Sequence, residues 1–197
     1  MRYVALTQSR KVYSWDLLYA INRRLIDRDT PRMFFVDDPI KLTLLNLEPV
    51  EVEVPLHPEG HMGFRRLRAS GEVYVRRQDV VEVGAGGRLR LKHLANVRVL
   101  RLEDGIAVGE VLPGPPEPGM RVVQWVPVES AVPTRVLVPG PTFKRDGSFN
   151  EESLRTVEGY AEQGVLGLKK GDRVQFERFG YCVRDSEADP VFVFTHR

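Results

Sequence analysis

The chain has 197 residues, 29 Lys and Arg against 27 Asp and Glu (net charge +2), 42% apolar residues and one cysteine. That size suits one mid-sized domain or two small ones with a real core. The lone Cys182 excludes a disulfide framework and an all-cysteine zinc site, and fits a reducing, cytoplasmic setting. No apolar run approaches the ~20 residues of a membrane span.

Ser14 to Ile26 reads as a helix with Ser14 as its N-cap. Leu17, Leu18, Ile21 and Leu25 form an apolar stripe at i, i+3/i+4 spacing, and Pro31 forbids continuation. After Pro31 the pattern changes from period 3.6 to period 2. Strands are expected at 33–36, 40–45, 50–54, 71–75, 89–92, 97–102, 106–111, 122–126, 134–138, 174–178, 181–184 and 191–195. Gly and Pro punctuate them, as at Asp38-Pro39, Gly84-Ala85-Gly86-Gly87 and Pro113 to Gly119. Asn150 to Thr156 is expected to hold a short helix capped by Asn150. Many short strands behind one helix make the chain all-β, a barrel or sandwich type, and its length suggests two barrels.

Charge is unevenly spread. Between Gly60 and Arg101 lie ten Lys or Arg and three acids, a footprint that suits a phosphate backbone or, equally, a solvated face ion-paired to acids elsewhere. Alternation in Leu89-Arg90-Leu91-Lys92 puts Arg90 and Lys92 on one face and the leucines inward. In Val174-Gln175-Phe176-Glu177-Arg178-Phe179-Gly180, Gln175 is set opposite Val174 and Phe176, and the segment carries an amide and a guanidinium that can pair with base edges. The ordinary readings are a surface amide for Gln175 and an ion pair of Arg178 with Glu177 or Asp185. His57 and His61 read as part of a turn, with Pro58 and Gly60 between them and no third ligand type clustered there, so no metal site is expected. Trp125 reads as a core residue, and Cys182 as a buried, inert thiol.

Several segments in order resemble one family: Tyr13-Ser14-Trp15-Asp16, Pro31-Arg32-Met33-Phe34-Phe35-Val36-Asp37-Asp38-Pro39, Pro55-Leu56-His57-Pro58, Gly71-Glu72-Val73-Tyr74-Val75, Leu89-Arg90-Leu91-Lys92, Val122-Val123-Gln124-Trp125-Val126-Pro127 and Val174 to Tyr181. Together they resemble the C-terminal anticodon-binding region of glutamyl- and glutaminyl-tRNA synthetases of archaeal and eukaryotic type. The resemblance implies two six-stranded β-barrels, the second inserted in the first, with the final strands returning to complete the first. It places the first barrel at residues 30–85 plus 150–197, the second at 86–149, and a helical connector to a catalytic domain at 1–29.

The resemblance also implies site residues. Arg32, Gln175 and Arg178 match the positions that read the middle anticodon base, and Arg90 and Lys92 the basic pair near the first. Lys92 departs from the arginine common there, replacing a planar fork with a point charge. If Gln175 and Arg178 serve one base, the chain must twist or bulge near Glu177-Arg178, because a regular strand sends them to opposite faces. No HIGH-type or KMSKS-type signature occurs in the sequence, and no catalytic carboxylate pair or P-loop stands in for them, so ATP and amino acid are expected to bind a catalytic domain outside this chain. The chain is expected to be a C-terminal fragment, a split-gene subunit or a standalone descendant. Its expected partners are the tRNA anticodon loop and a separate catalytic synthetase subunit, with no cofactor, metal or membrane. A protein-interaction role for barrels whose RNA binding has decayed is the alternative.

Overall fold

A computed structural model describes residues 15–103 and 105–197. The chain divides into two compact units, Met1–Thr30 and Pro31–Arg197. In the first, α1 spans Trp15–Ile26 and passes into a 3-10 turn at Asp27–Asp29, and Thr30 closes the segment by donating its hydroxyl to the Ile26 carbonyl at 2.7 Å. Ser14, the expected cap, lies outside the described residues.

The second unit contains sixteen short strands among the described residues. In chain order they are β1 (Arg32–Met33), β2 (Phe35–Asp37), β3 (Pro39–Leu45), β4 (Val50–Pro55), β5 (Phe64–Ala69) and β6 (Glu72–Arg76). A seven-residue helix, α2 (Arg77–Val83), follows. Then come β7 (Arg88–Leu91), β8 (Ala95–Glu103), β9 (Ile106–Leu112), β10 (Arg121–Val123), β11 (Val126–Pro127) and β12 (Val132–Pro139). The last are β13 (Leu154–Ala161), β14 (Arg173–Phe176), β15 (Gly180–Arg184) and β16 (Val191–His196).

These strands make two barrels and one hairpin. One sheet has the order β1-β14-β15-β16-β12-β13-β2, the other β10-β7-β8-β9-β3-β6-β11, and β4 pairs only with β5. The edge strands of the first sheet, β1 and β2, are separated by Phe34 alone, and those of the second, β10 and β11, by Gln124-Trp125. Each sheet is therefore closed by one split strand that pairs on both sides. Counted that way, each barrel is six-stranded, and neither leaves a free edge.

The second barrel is inserted in the first, but its limits differ from the expected ones. Its strands run from Pro39 to Pro127, while the first barrel takes β1, β2 and β12 to β16. Strands β3 and β6 thus leave the first barrel, and β12 leaves the second. Parallel seams cause the difference. β3 pairs with β9 in the register Leu42↔Ala107, and β12 with β16 in the register Val136↔Phe192, so each strand belongs with partners remote in sequence. The glycine run at 84–87, read as a boundary, is a turn inside the second barrel. A Cβ at Gly87 would lie 2.3 Å from the Val83 carbonyl oxygen.

One further expectation is corrected. Asn150 to Thr156 is not a helix. Asn150 Oδ1 accepts from the Glu152 amide at 3.3 Å, an Asx-type turn that leads into β13. Helix α2 and strands β5 and β13 have no counterpart among the expected elements.

The barrel cores follow from alternation. Met33, Phe35, Val174, Phe176, Cys182 and Phe192 point into the first barrel, where Phe35 and Phe192 each pack 5.0 Å from Phe176. Ile40, Leu42, Val73, Leu89, Leu91 and Val97 fill the second. Phe34, between two inward residues, faces out of the first barrel, and the second barrel's core covers it completely. Its ring centroid lies 6.4 Å from that of Trp125, a buried residue at the break in the other split strand.

Candidate nucleic-acid interface

Arg32 and Gln175 are direct register partners in the parallel pair of β1 and β14. Their inward neighbours, Met33 and Phe176, are also paired and lie in the core, so Arg32 and Gln175 share the outer face. Gln175 Oε1 is buried and accepts no hydrogen bond among the described residues. A buried acceptor without a donor costs about 1–3 kcal/mol, and a ligand N–H would satisfy it.

The strand ends at Phe176. Glu177, Arg178 and Phe179 form the hairpin turn to β15, closed by the Phe179 amide donating to the Phe176 carbonyl at 3.0 Å. Arg178 holds φ +63°, the left-handed region that few side-chain-bearing residues occupy. The expected irregularity is thus a turn, and it directs Arg178 away from the strand. Gly180 completes the turn at φ +147°. A Cβ there would meet Phe194 Cε2 at 2.5 Å and the His196 carbonyl oxygen at 2.7 Å.

Both charged turn residues reach the second barrel. Arg178 makes a two-point ion pair with Asp79 of α2, Nη1 to Oδ2 and Nη2 to Oδ1, each at 2.7 Å. The expected partners, Glu177 and Asp185, are not the ones used. Asp79 is 2% exposed and also accepts from Arg121 Nη1 at 2.8 Å. Burial opposes its ionisation, but the hydrogen bonds from Arg178 and Arg121 outweigh burial and hold its carboxyl below the usual range. Glu177 pairs with Lys92 Nζ.

Arg90 and Lys92 lie where the alternation places them, with Leu89 and Leu91 fully buried. Arg90 Nη1 donates to Asn96 Oδ1 at 3.1 Å, across its register pair. Lys92 sits just past β7, its carbonyl accepting from Trp125 Nε1 at 2.9 Å. Lys92 therefore meets the β14 hairpin through Glu177, whereas Arg90 bonds within its own barrel.

The basic stretch is not a bare positive face. Nine of its ten cations pair with carboxylates, among them Arg65 with Glu162, Arg66 with Glu53, Arg68 with Glu129, Arg76 with Asp37, Arg77 with Asp38 and Arg88 with Glu117. Lys92, Arg98 and Arg101 pair with Glu177, Glu110 and Glu103. Among the described residues Arg90 is the exception and bonds to an amide. Most of these pairs are exposed and weak, and polyanions compete with them readily.

Three residues near this face had no role in the sequence reading. Asp79 lies on a helix too short to show a period. Gln124, 8% exposed, sits in the matched Val122 to Pro127 segment and accepts from Arg178 Nη1 at 3.3 Å. His93, at φ +63°, occupies the turn after Lys92. Partial burial, then the charge of Lys92, hold its imidazole below the usual histidine range; Arg65 and Arg90 add to this and Glu177 opposes it. A histidine directly after the Arg90–Lys92 alternation is the sequence signal that could have flagged it.

His57, Glu59 and His61 do come together, contrary to expectation. One potential ligand atom from each lies within 4.8 Å of the others, and the two imidazoles pack edge-on at 4.6 Å. His57 Nδ1 accepts from the Glu59 amide at 3.2 Å, which uses the lone pair on that nitrogen. Cys182 is buried, and burial pushes its thiol far above the usual range.

Two small closed barrels with an outward arginine–amide pair and further basic groups at the junction define a β-barrel nucleic-acid-binding module. The model of the anticodon-binding domain of class I tRNA synthetases (E and Q) matches residues 30–112, and a second model of the same description matches residues 122–185. The chain belongs to that family and is an anticodon-binding module of it. It is 33% identical to the glutamate–tRNA ligase of Nitrosopumilus maritimus over 98% of its length and 33% of that protein's. It is 35% identical to that of Methanothrix thermoacetophila over 93% of its length and 30% of the relative's. For Methanocaldococcus jannaschii the identity is 32%, over 100% of the chain and 34% of the relative. The chain spans about a third of the length of these curated relatives. No helix among the described residues is long and apolar enough to cross a membrane.

Proposed function

We propose that this module recognises the anticodon loop of a glutamate- or glutamine-type tRNA and holds it for aminoacylation by a catalytic domain outside this chain. The observation that carries the reading is the register pair of Arg32 with Gln175, whose buried Oε1 accepts no hydrogen bond among the described residues. A uracil offers that donor in its imino N–H and offers carbonyl acceptors to an arginine. Arg32 and Gln175 read the middle base together with Arg178, while Arg90 and Lys92 serve the first. Neither ATP nor a metal is needed for this step, because the module contributes binding and orientation. The catalytic part lies in the same polypeptide or in a separate subunit. In filter binding of the 197-residue chain, a tRNA(Glu) transcript is expected to bind at least tenfold tighter than one with its middle anticodon base replaced. Equal affinity for the two overturns the reading.

A further inference from the structure

Arg178 has five N–H donors, and the protein occupies three of them. Asp79 takes the end-on edge through Nη1 and Nη2, and Gln124 Oε1 takes the second Nη1 hydrogen. The side-on edge, made of Nε–H and the remaining Nη2–H, makes no hydrogen bond among the described residues. That edge is a two-point fork with the same spacing as the one Asp79 fills.

The charges around the fork balance. Arg178 and Arg121 face Asp79, and Arg121 Nη2 also meets Glu82, so two cations stand beside two anions. The Asp37 carboxylate adds to the field at Arg178 and is itself paired with Arg76. A phosphate gains most from uncompensated positive charge. A fork in a neutral cluster suits neutral, directional acceptors such as the carbonyl and ring-nitrogen edge of a base. The left-handed backbone of Arg178 is a strained conformation for a residue with a side chain, and it persists because its surroundings over-determine it.

We propose that Asp79 and Gln124 are positioning residues: they hold Arg178 so that its Nε/Nη2 edge reads a nucleobase edge, and they set base choice without touching the base. The inference rests on the anticodon-loop reading and adds two residues to it. Asp79, on α2 of the second barrel, thereby sets the aim of a side chain carried by the first.

The test measures affinity of the 197-residue chain for the matched tRNA transcript and for its middle-base variant, over a salt series, with thermal melts of each protein. Arg178→Ala is expected to lower the affinity ratio on the order of tenfold. Asp79→Asn is expected to lower it comparably, and to add nothing in the double variant with Arg178→Ala. Gln124→Ala is expected to lower it severalfold, and it decides the question if Asp79→Asn fails to fold. Neither Arg178→Ala nor Gln124→Ala is expected to change the salt slope. An unchanged ratio in Asp79→Asn, with every RNA weakened equally, reduces Asp79 to a structural role and overturns the inference while the anticodon reading stands. An unchanged ratio in Gln124→Ala when Asp79→Asn is unfolded does the same. A salt slope reduced by about one in Arg178→Ala marks a phosphate contact and also overturns it. A retained ratio in Arg178→Ala removes the base-reading role of Arg178 and the inference with it.

Discussion

Phe34 and Trp125 pack against each other at the two points where a barrel-closing strand breaks. Phe34 leaves its own barrel to complete the core of the other, so the barrels share hydrophobic contacts instead of merely touching. Truncating Phe34 to Ala is expected to cost about 3–5 kcal/mol, as for a fully buried aromatic. Urea unfolding followed by tryptophan fluorescence measures it, and a loss below about 1 kcal/mol contradicts the shared core.

Gly180 is required by two separate constraints, its φ of +147° and the space filled by Phe194 and the His196 carbonyl. Gly180→Ala is expected to destabilise the chain by about 1–3 kcal/mol and to weaken RNA discrimination through the displaced hairpin. Calorimetry and filter binding read the two effects separately. A variant as stable as the parent shows that the hairpin tolerates a Cβ.

Lys92 is neutralised by Glu177 in the free chain. Replacing Glu177 with Gln releases that charge, and affinity for any tRNA at low salt is expected to rise roughly two- to fivefold, the scale of a partly exposed ion pair. The gain should shrink as salt increases. Unchanged affinity at low salt means that Lys92 does not face the RNA.

The ion pairs of Asp79 give a pH signature. Its folded-state pKa lies below the ordinary value of 3.8, so its contribution to stability is complete above that value and is lost as pH falls through the lower folded one. The stability difference between the parent and Asp79→Asn is therefore expected to be constant from pH 7 to about pH 5 and to shrink at lower pH. Urea titrations at a series of pH values test this, and a difference that persists unchanged at pH 2.5 runs against it.

Cys182 is buried with its thiol pushed upward by burial. Native protein is expected to resist maleimide at neutral pH and to react fully in urea. Rapid labelling of the native chain would place Cys182 at an open surface.

Local features were legible in the sequence and remote ones were not. The alternation at Leu89 to Lys92 gave the inward leucines and outward cations because pleating has period two. Helix α2 escaped because seven residues barely complete two turns, and Asp79 escaped with it. Barrel membership escaped because β3 joins β9, and β12 joins β16, through parallel seams that leave no mark near the strands themselves. Arg178 was identified as a candidate, but its partner was not, because Asp79 lies in the other barrel.

The register between Arg32 and Gln175 joins the start of the first barrel to strands near the far end of the chain. During synthesis the whole of the second barrel, Pro39 to Pro127, emerges from the ribosome before β14 exists. The nascent chain is thus expected to complete its inner barrel while β1 and β2 wait as an unpaired edge, exposed to wrong pairing. Closure across so long a loop makes the first barrel the slow step of folding. Pulsed hydrogen exchange during refolding should protect the amides of β7 to β9 before those of β14 and β15, and the reverse order would show that the outer barrel does not depend on the inner one.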